Sequence, residues 1–394
     1  MRTFPVSSYH RSSTMVQFSS IFLIIFFFIP NIQAAIFKQD LIFRSRAQNL
    51  KNHALLPQGV HDFHDSEYIG IITIGKPYQT FKVAMQTGTS SLWIPAPEAD
   101  SSCNGKSHFY PKTSDTFRTT GRDFELTYGM GTLFQDRVFG YMGQDMVTFG
   151  AYEGAQLKIP NSLFGLALSV TSRFSNDTNI DGILGLAPAM NYDRIYLSPL
   201  LNAIQQGLLD YDLFTVYLEG HGSQKNVPGG RFTFGGIDTD NCGSVIDWLP
   251  FVSSVNYGFM IEGVSIGNYT LNRTMQVMTD TGTPFIAAPF YVLNGIGATL
   301  GARYDNTTKS YYVPCDGEKE NLNFVIGGKT YSVEPRNYIL ETNQANTCLL
   351  AISGLSGYGM GPTWILGTPF MRQYCHVHDI GNQKMGLAKS LQKF

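Results

Sequence analysis

The sequence predicts an all-β globular protein of two similar lobes, and three observations predict it: length, composition and an internal repeat. At 394 residues the chain exceeds what one hydrophobic core usually holds, so two lobes are favoured. Charged residues are 15% of the chain, against about 25% in an average globular protein. The 40 Gly, 28 Phe and 21 Tyr favour turn-rich, aromatic-filled strands over helical bundles or disorder. The repeat is VAMQTGTSSLWIP, residues 83–95, which aligns without gaps on VMTDTGTPFIAAP, residues 277–289, sharing the Val, the Thr-Gly-Thr and the final Pro.

The neighbourhood of each copy repeats as well. Each follows a β-type stretch ending in Ile-Gly, at residues 72–75 and 264–267, and each precedes an Ile-Leu-Gly, at residues 183–185 and 365–367. Residues 124–134, FELTYGMGTLF, place β-forming side chains on both sides of a Tyr-Gly-Met-Gly tip, a hairpin signal. Residues 229–240 read as another strand bounded by glycines. Helices look few and short, at residues 196–209 and, more weakly, 291–302. Phe124, Phe134 and Phe139 are expected in a lobe core, and the lobes are expected to join near residues 240–248.

The chain starts with a segment of a different kind. Residues 16–30 are apolar, preceded by Arg2, His10 and Arg11 and followed by Ala34 and Ala35, the pattern of a cleaved secretory signal. An uncleaved anchor is the rival, but the uninterrupted run of residues 21–30 is well short of the about 20 residues a bilayer span requires. Met15 is an alternative initiator. The expected divisions are a signal peptide at 1–35, a short prosegment-like region at 36–64, an N-terminal lobe at 65–243 and a C-terminal lobe at 244–394, with no stable membrane span after cleavage. Four sequons, at Asn176, Asn268, Asn272 and Asn306, agree with a secreted or lysosomal location, although such triplets also arise by chance in a chain this long. A net charge of −2 lacks the basic surplus that nucleic-acid binding needs.

The chemistry concentrates in the repeat. Asp280-Thr281-Gly282-Thr283 follows an apolar strand, so a carboxylate stands on a turn where Gly282 allows close backbone approach and Thr283 can donate a hydrogen bond. Two such carboxylates facing each other across a lobe interface would share one water, one ionised as base and one protonated as acid, because like charges about 3 Å apart cannot both ionise.

On these motifs the chain resembles the pepsin-like aspartic proteases, from about Tyr68 to the C-terminus. Tyr128, followed by Gly129, matches the flap tyrosine, and Trp93 the indole that hydrogen-bonds it. Residues 182–188, GILGLAP, and 364–374, WILGTPFMRQY, match the segments that cross under each active loop. The resemblance implies a bilobal fold with two related β-barrel-like lobes, a cleft between them and a flap hairpin from the N-lobe. It also implies an extended peptide or unfolded protein segment as the cleft's occupant, no metal, no cofactor, and a monomer. Thr87, Gly88, Ser90, Trp93, Tyr128, Thr281, Gly282 and Thr283 fit the family's site, and Thr89, in place of the family's Ser, is a further expected substrate contact. Cys315 and Cys348 match its C-lobe disulfide, and Cys103 matches one member of an N-lobe pair whose second cysteine is absent, so Cys103 is expected to be free. Cys242 and Cys375 then have no other partners and are expected to pair, a matter for geometry to decide.

The departures fall on the site. The first repeat reads Gln86-Thr87-Gly88-Thr89 where the family has Asp-Thr-Gly-Ser, so one dyad carboxylate is an amide. Gln has no ionisable proton at working pH and can be neither general base nor general acid. Its NH₂ is expected to donate to an ionised Asp280, which would then titrate as a single low-pKa group. Pro284 stands where Ser or Thr is usual, and Thr368 where an Asp is expected. The prosegment-like region is short, and Lys38, Arg44, Arg46 and Lys51 are its only Lys and Arg residues. Residues 61–65, HDFHD, read as a solvated loop rather than a metal site, since no Cys or third His lies near. Three readings follow: a family member with endopeptidase activity lost or severely impaired but a peptide-binding cleft kept; an acid endopeptidase that tolerates Gln86; and an interaction protein with a vestigial cleft.

Overall fold

The computed structural model describes residues 37–45, 66–129, 136–150, 156–188, 198–222, 227–342, 344–355 and 362–392. The signal segment, the HDFHD loop and Phe134 therefore lie outside the described residues. Residues Ala34–Phe394 form one compact unit.

In chain order the strands are β1 (Phe37–Ser45), β2 (Ser66–Ile74), β3 (Gln79–Gln86), β4 (Leu92–Pro95), β5 (Arg118–Tyr128), β6 (Asp136–Phe149), β7 (Leu157–Val170), β8 (Gly182–Gly185), β9 (Leu213–Leu218), β10 (Val227–Phe234), β11 (Cys242–Pro250), β12 (Gly258–Ile266), β13 (Tyr269–Thr279), β14 (Ile286–Pro289), β15 (Arg303–Asp305), β16 (Ser310–Val313), β17 (Leu322–Ile326), β18 (Lys329–Val333), β19 (Ile339–Glu341), β20 (Cys348–Leu350), β21 (Ile352–Leu355), β22 (Trp364–Leu366), β23 (Tyr374–Asp379) and β24 (Lys384–Ser390). Among the described residues they make a 13-stranded sheet in the order β11-β24-β23-β9-β10-β1-β2-β3-β8-β4-β7-β6-β5, a seven-stranded sheet β18-β17-β12-β13-β22-β14-β21, and a small sheet of β15, β16, β20 and β19.

Sequence pattern tells edge strands from central ones. The edge strand β11 alternates buried and exposed positions and leaves Ile246 and Trp248 about 40% exposed, whereas β9, LFTVYL, sits between β10 and β23 and is buried at every position. The boundary expected at 243/244 falls inside β11. The leader strand β1 pairs antiparallel with both β10 and β2, so residues 37–45 are built into the large sheet rather than being a remnant beside it. The helix read at 196–209 spans Pro199–Gln205, started by Ser198, whose Oγ accepts from the Leu201 amide. The one read at 291–302 spans Phe290–Leu300 and ends where Gly301 adopts a left-handed conformation. Phe124 is buried as expected, but Phe139 is 52% exposed: β6 turns alternate side chains outward, and Phe139 falls on the outer face.

Candidate functional site

The repeat folds into the same unit twice. β3 pairs parallel with β8, Gln86 lying beside Gly185, and β13 pairs parallel with β22, Thr279 beside Leu366. Each loop then returns through a short strand antiparallel to the same neighbour, β4 on β8 and β14 on β22. The Leu186 and Ala187 amides donate to the carbonyls of Gln86 (2.8 Å) and Thr89 (2.9 Å), and the Thr368 amide donates to that of Thr283 (2.9 Å). The glycines of the two Ile-Leu-Gly segments permit this contact: a Cβ on Gly185 would stand 2.4 Å from the Ser91 nitrogen, and one on Gly367 2.1 Å from the Thr283 oxygen. Thr368 thus supports the second loop, its hydroxyl also donating to the Pro284 carbonyl at 3.3 Å.

The two loops grip each other. The Thr87 amide donates to Thr281 Oγ1 (3.0 Å) and the Thr281 amide to Thr87 Oγ1 (3.1 Å). Each hydroxyl passes its proton into the opposite strand, Thr281 to the Met85 carbonyl (2.7 Å) and Thr87 to the Thr279 carbonyl (3.4 Å). Both threonines are buried, so each amide would otherwise be an unsatisfied donor.

Gln86 and Asp280 occupy corresponding positions of these loops, and each side chain lies against the other loop's glycine. A Cβ on Gly282 would fall 2.7 Å from Gln86 Cδ, and one on Gly88 2.5 Å from Asp280 Cγ. Their bonding differs. Asp280 accepts from the Gly282 amide (2.8 Å) and Thr283 Oγ1 (2.6 Å), and the Gly88 amide also supports it. Among the described residues no hydrogen bond joins Gln86 to Asp280, because these donors occupy the carboxylate while the carboxamide rests on Gly282. The expected amide bridge is absent, and the expected low pKa is reversed. Burial pushes the Asp280 carboxyl above its ordinary value of 3.8, outweighing the bonds from Thr283, Gly282 and Gly88 and the charge of Arg173, which act downwards.

Trp93 Nε1 donates to the Tyr128 hydroxyl at 2.8 Å. Trp93 is fully buried, burial pushes the Tyr128 phenol up, and a bond involving the Thr89 side chain opposes that shift. Phe174, in the short helix Ser172–Asn176, packs edge-on against both rings, at 5.5 Å from Trp93 and 5.0 Å from Tyr128. Gly129, at the end of β5, takes φ 102°, which a side chain would strain. Arg173 was missed by sequence reasoning. Its Nη1 lies 3.5 Å from Asp136, which pairs with Tyr128 at the loop end of the hairpin, and no motif marks a single cation brought across the fold towards a carboxylate 107 positions later.

Two disulfides join Cys242 to Cys375 and Cys315 to Cys348, and Cys103 is free and buried. The four sequon asparagines, Asn176, Asn268, Asn272 and Asn306, are exposed. Among the described residues no helix is long and apolar enough to cross a membrane.

Two gripping strand-loop-strand units, related by an internal repeat and set beside a hairpin tyrosine bonded to an indole, define the bilobal fold of pepsin-like aspartic proteases. Residues 67–390 match the eukaryotic aspartyl protease family, and the chain belongs to it. It is 44% identical to aspartic protease 6 of Caenorhabditis elegans over 341 residues, 86% of each chain. Aspartic protease 2 of Necator americanus is 32% identical over 383 residues, 88% of each chain. Gastricsin of Homo sapiens is 32% identical over 333 residues, 83% of this chain and 82% of its own.

Proposed function

We propose that this chain is an aspartyl protease family member whose endopeptidase activity is lost or strongly impaired, and whose cleft still binds an extended peptide. The observation that carries the reading is Gln86 at the position corresponding to Asp280. Peptide hydrolysis by a dyad needs one group to take a proton from water and another to give one to the leaving amine, and a carboxamide does neither. Gln86 also reaches one methylene further than Asp would, onto Gly282, into the space between the loops where a water would have to sit. The rest of the site supports retained binding: the threonine grip, the Trp93–Tyr128 bond and the triple support of Asp280 do not depend on residue 86. The apolar leader, two disulfides and exposed sequons favour the secretory route, secreted or lysosomal, and family membership favours a monomer.

The second reading, an acid endopeptidase working through Asp280 alone, draws on the relatives' names and on burial of Asp280, which shifts its carboxyl towards the protonated form. Purified mature chain, incubated with denatured protein between about pH 3 and 5, separates the two. Turnover within tenfold of ordinary enzyme values, about 1–10³ s⁻¹, defeats the first reading. No turnover together with saturable binding of a statine-type peptide inhibitor supports it, and no binding leaves a vestigial cleft.

A further inference from the structure

Two histidines stand where nothing serves them. His376 and His378 alternate on β23, which lies between β9 and β24 inside the large sheet, and both are fully buried. Their cross-strand partners are Val216 and Leu387 for His376, and Phe214 and Met385 for His378. The His378 ring stacks on Phe214 at 4.3 Å and 2° and meets the edge of Tyr257 at 4.4 Å, while His376 packs on Phe370 at 5.6 Å. Among the described residues no side chain bonds any of the four buried ring nitrogens; the backbone of Tyr374 beside His376, and that of His376 beside His378, favour the charged ring only weakly and are outweighed by burial.

Among the described residues no ionised side chain lies where it could hold a proton on the pair. On β23 itself, Asp379 falls on the other face and is engaged by Asn382 and by Lys384 at 3.6 Å. Tyr374, at the start of the strand, donates to the Ser332 carbonyl. From β24 the ionisable groups are Lys384, over the Trp248 ring, and Lys389, opposite Tyr374 rather than either imidazole. On β9, Tyr217 alternates to the face away from Phe214 and Val216. Arg372, in the helix Thr368–Gln373, turns its guanidinium to Thr368 and Asn337. Tyr257 donates its hydroxyl to the Leu186 carbonyl at 2.7 Å. Tyr257, 4.4 Å from His378, carries no charge in this range, so among the described residues the nearest side chain that could be charged beside either imidazole is the other, at 6.2 Å, and a second proton would face the first.

We infer that the His376–His378 pair makes this fold acid-labile, so that the sheet joining the two halves, and with it the Gln86 loop, holds only with both imidazoles neutral. The link to the site is short: His378 supports Tyr257, Tyr257 bonds the Leu186 carbonyl, and the Leu186 amide bonds Gln86. The sign follows from where protons bind. Burial pushes His376 down to about 3 and His378 well below its ordinary 6.5. Below about pH 6.5 the unfolded chain takes up both protons while the native state takes up neither, so stability falls with pH. Each histidine weakens the folding equilibrium about tenfold per pH unit, and the pair about a hundredfold. The inference does not rest on the loss of proteolysis: it opposes acid function whichever way residue 86 acts.

The test is urea unfolding of the full mature chain between pH 7.5 and 4.5, beside the variant His376→Val with His378→Phe. The wild-type equilibrium should weaken about a hundredfold per pH unit more steeply below about pH 6 than that of the variant. Equal slopes in the two proteins overturn the inference. Should the variant not fold, calorimetry of wild type at pH 5.5 in buffers of different ionisation enthalpy reads proton uptake directly. Uptake close to two protons above that of the exposed groups supports the pair, and none overturns it.

Discussion

The two active loops differ in little except the residue that does chemistry. Both run from a buried strand, both accept support from an Ile-Leu-Gly segment, and each threonine bonds the other loop's amide at nearly the same length, 3.0 and 3.1 Å. Both residues at the turn lie on the opposite glycine. Yet Asp280 is held by three donors, while among the described residues the Gln86 carboxamide has no hydrogen bond to it. Loop shape and loop chemistry are therefore separable here: the threonines and glycines keep the backbone, and residue 86 can lose its ionisable group without loosening the grip.

The strongest way to break the comparison is to make the loops chemically alike. Gln86→Asp should restore a proton-sharing dyad and give acid-dependent proteolysis, a gain of at least about 10²–10⁴-fold in turnover of a denatured protein. Gln86→Asp combined with Asp280→Asn should stay silent, which excludes a contaminating protease. A folded, inactive single variant would show that Pro284 or Thr368 has disabled the cleft independently.

The grip can be weakened from either side. Thr281→Val and Thr87→Val each leave a buried amide without an acceptor and should cost about 1–3 kcal/mol in denaturant unfolding. Thr281→Val should cost more, since its outgoing bond to Met85 is 2.7 Å against 3.4 Å for that of Thr87 to Thr279. Equal losses would mean that the longer bond counts as much as the shorter.

Glycine replacement should show the same asymmetry at smaller scale. Gly88→Ala drives a methyl into the anchored Asp280 carboxylate, whereas Gly282→Ala meets the flexible end of Gln86. Both overpack, by about 1–3 kcal/mol, with Gly88→Ala at the upper end. A reversed order, read from urea midpoints, would show that Gln86 is the more rigidly held residue.

The smallest effect is the most specific. Carboxyl-selective NMR should find Asp280 titrating above 3.8, and Thr283→Val or Arg173→Met should move it higher by removing a downward influence. A carboxyl raised in the native state penalises the ionised form. The penalty is absent in acid, appears as pH rises through the unfolded value of about 3.9, and is complete above the native value. Asp280→Asn should therefore be neutral to stability in acid and stabilising near pH 7. A native value below 3.8 would mean that Gln86 does donate to it.

Much of the fold was legible in the chain because duplication writes it twice. The Val-x-x-x-Thr-Gly-Thr pattern and its Ile-Leu-Gly partner locate both loops, and the β3–β8 and β13–β22 pairings give that spacing its form. The same alignment exposes Gln86, and an amide's lack of an ionisable proton is a property of the residue wherever it lies. Phe139 was misplaced because β-branched and aromatic content does not say which face of a strand points inward.

What a titratable group does, by contrast, depends on what excludes water from it. Asp280 is closed in by Gly88 and a loop whose threonine is 194 positions from its partner, and that enclosure turned an expected low pKa into a raised one. Nothing in the sequence marks His376 and His378 as buried; β9, β24 and Tyr257 enclose them. The sequence by itself determined which groups can carry a proton; only the tertiary structure decided their cost of charging, because desolvation is set by neighbours that are distant along the chain.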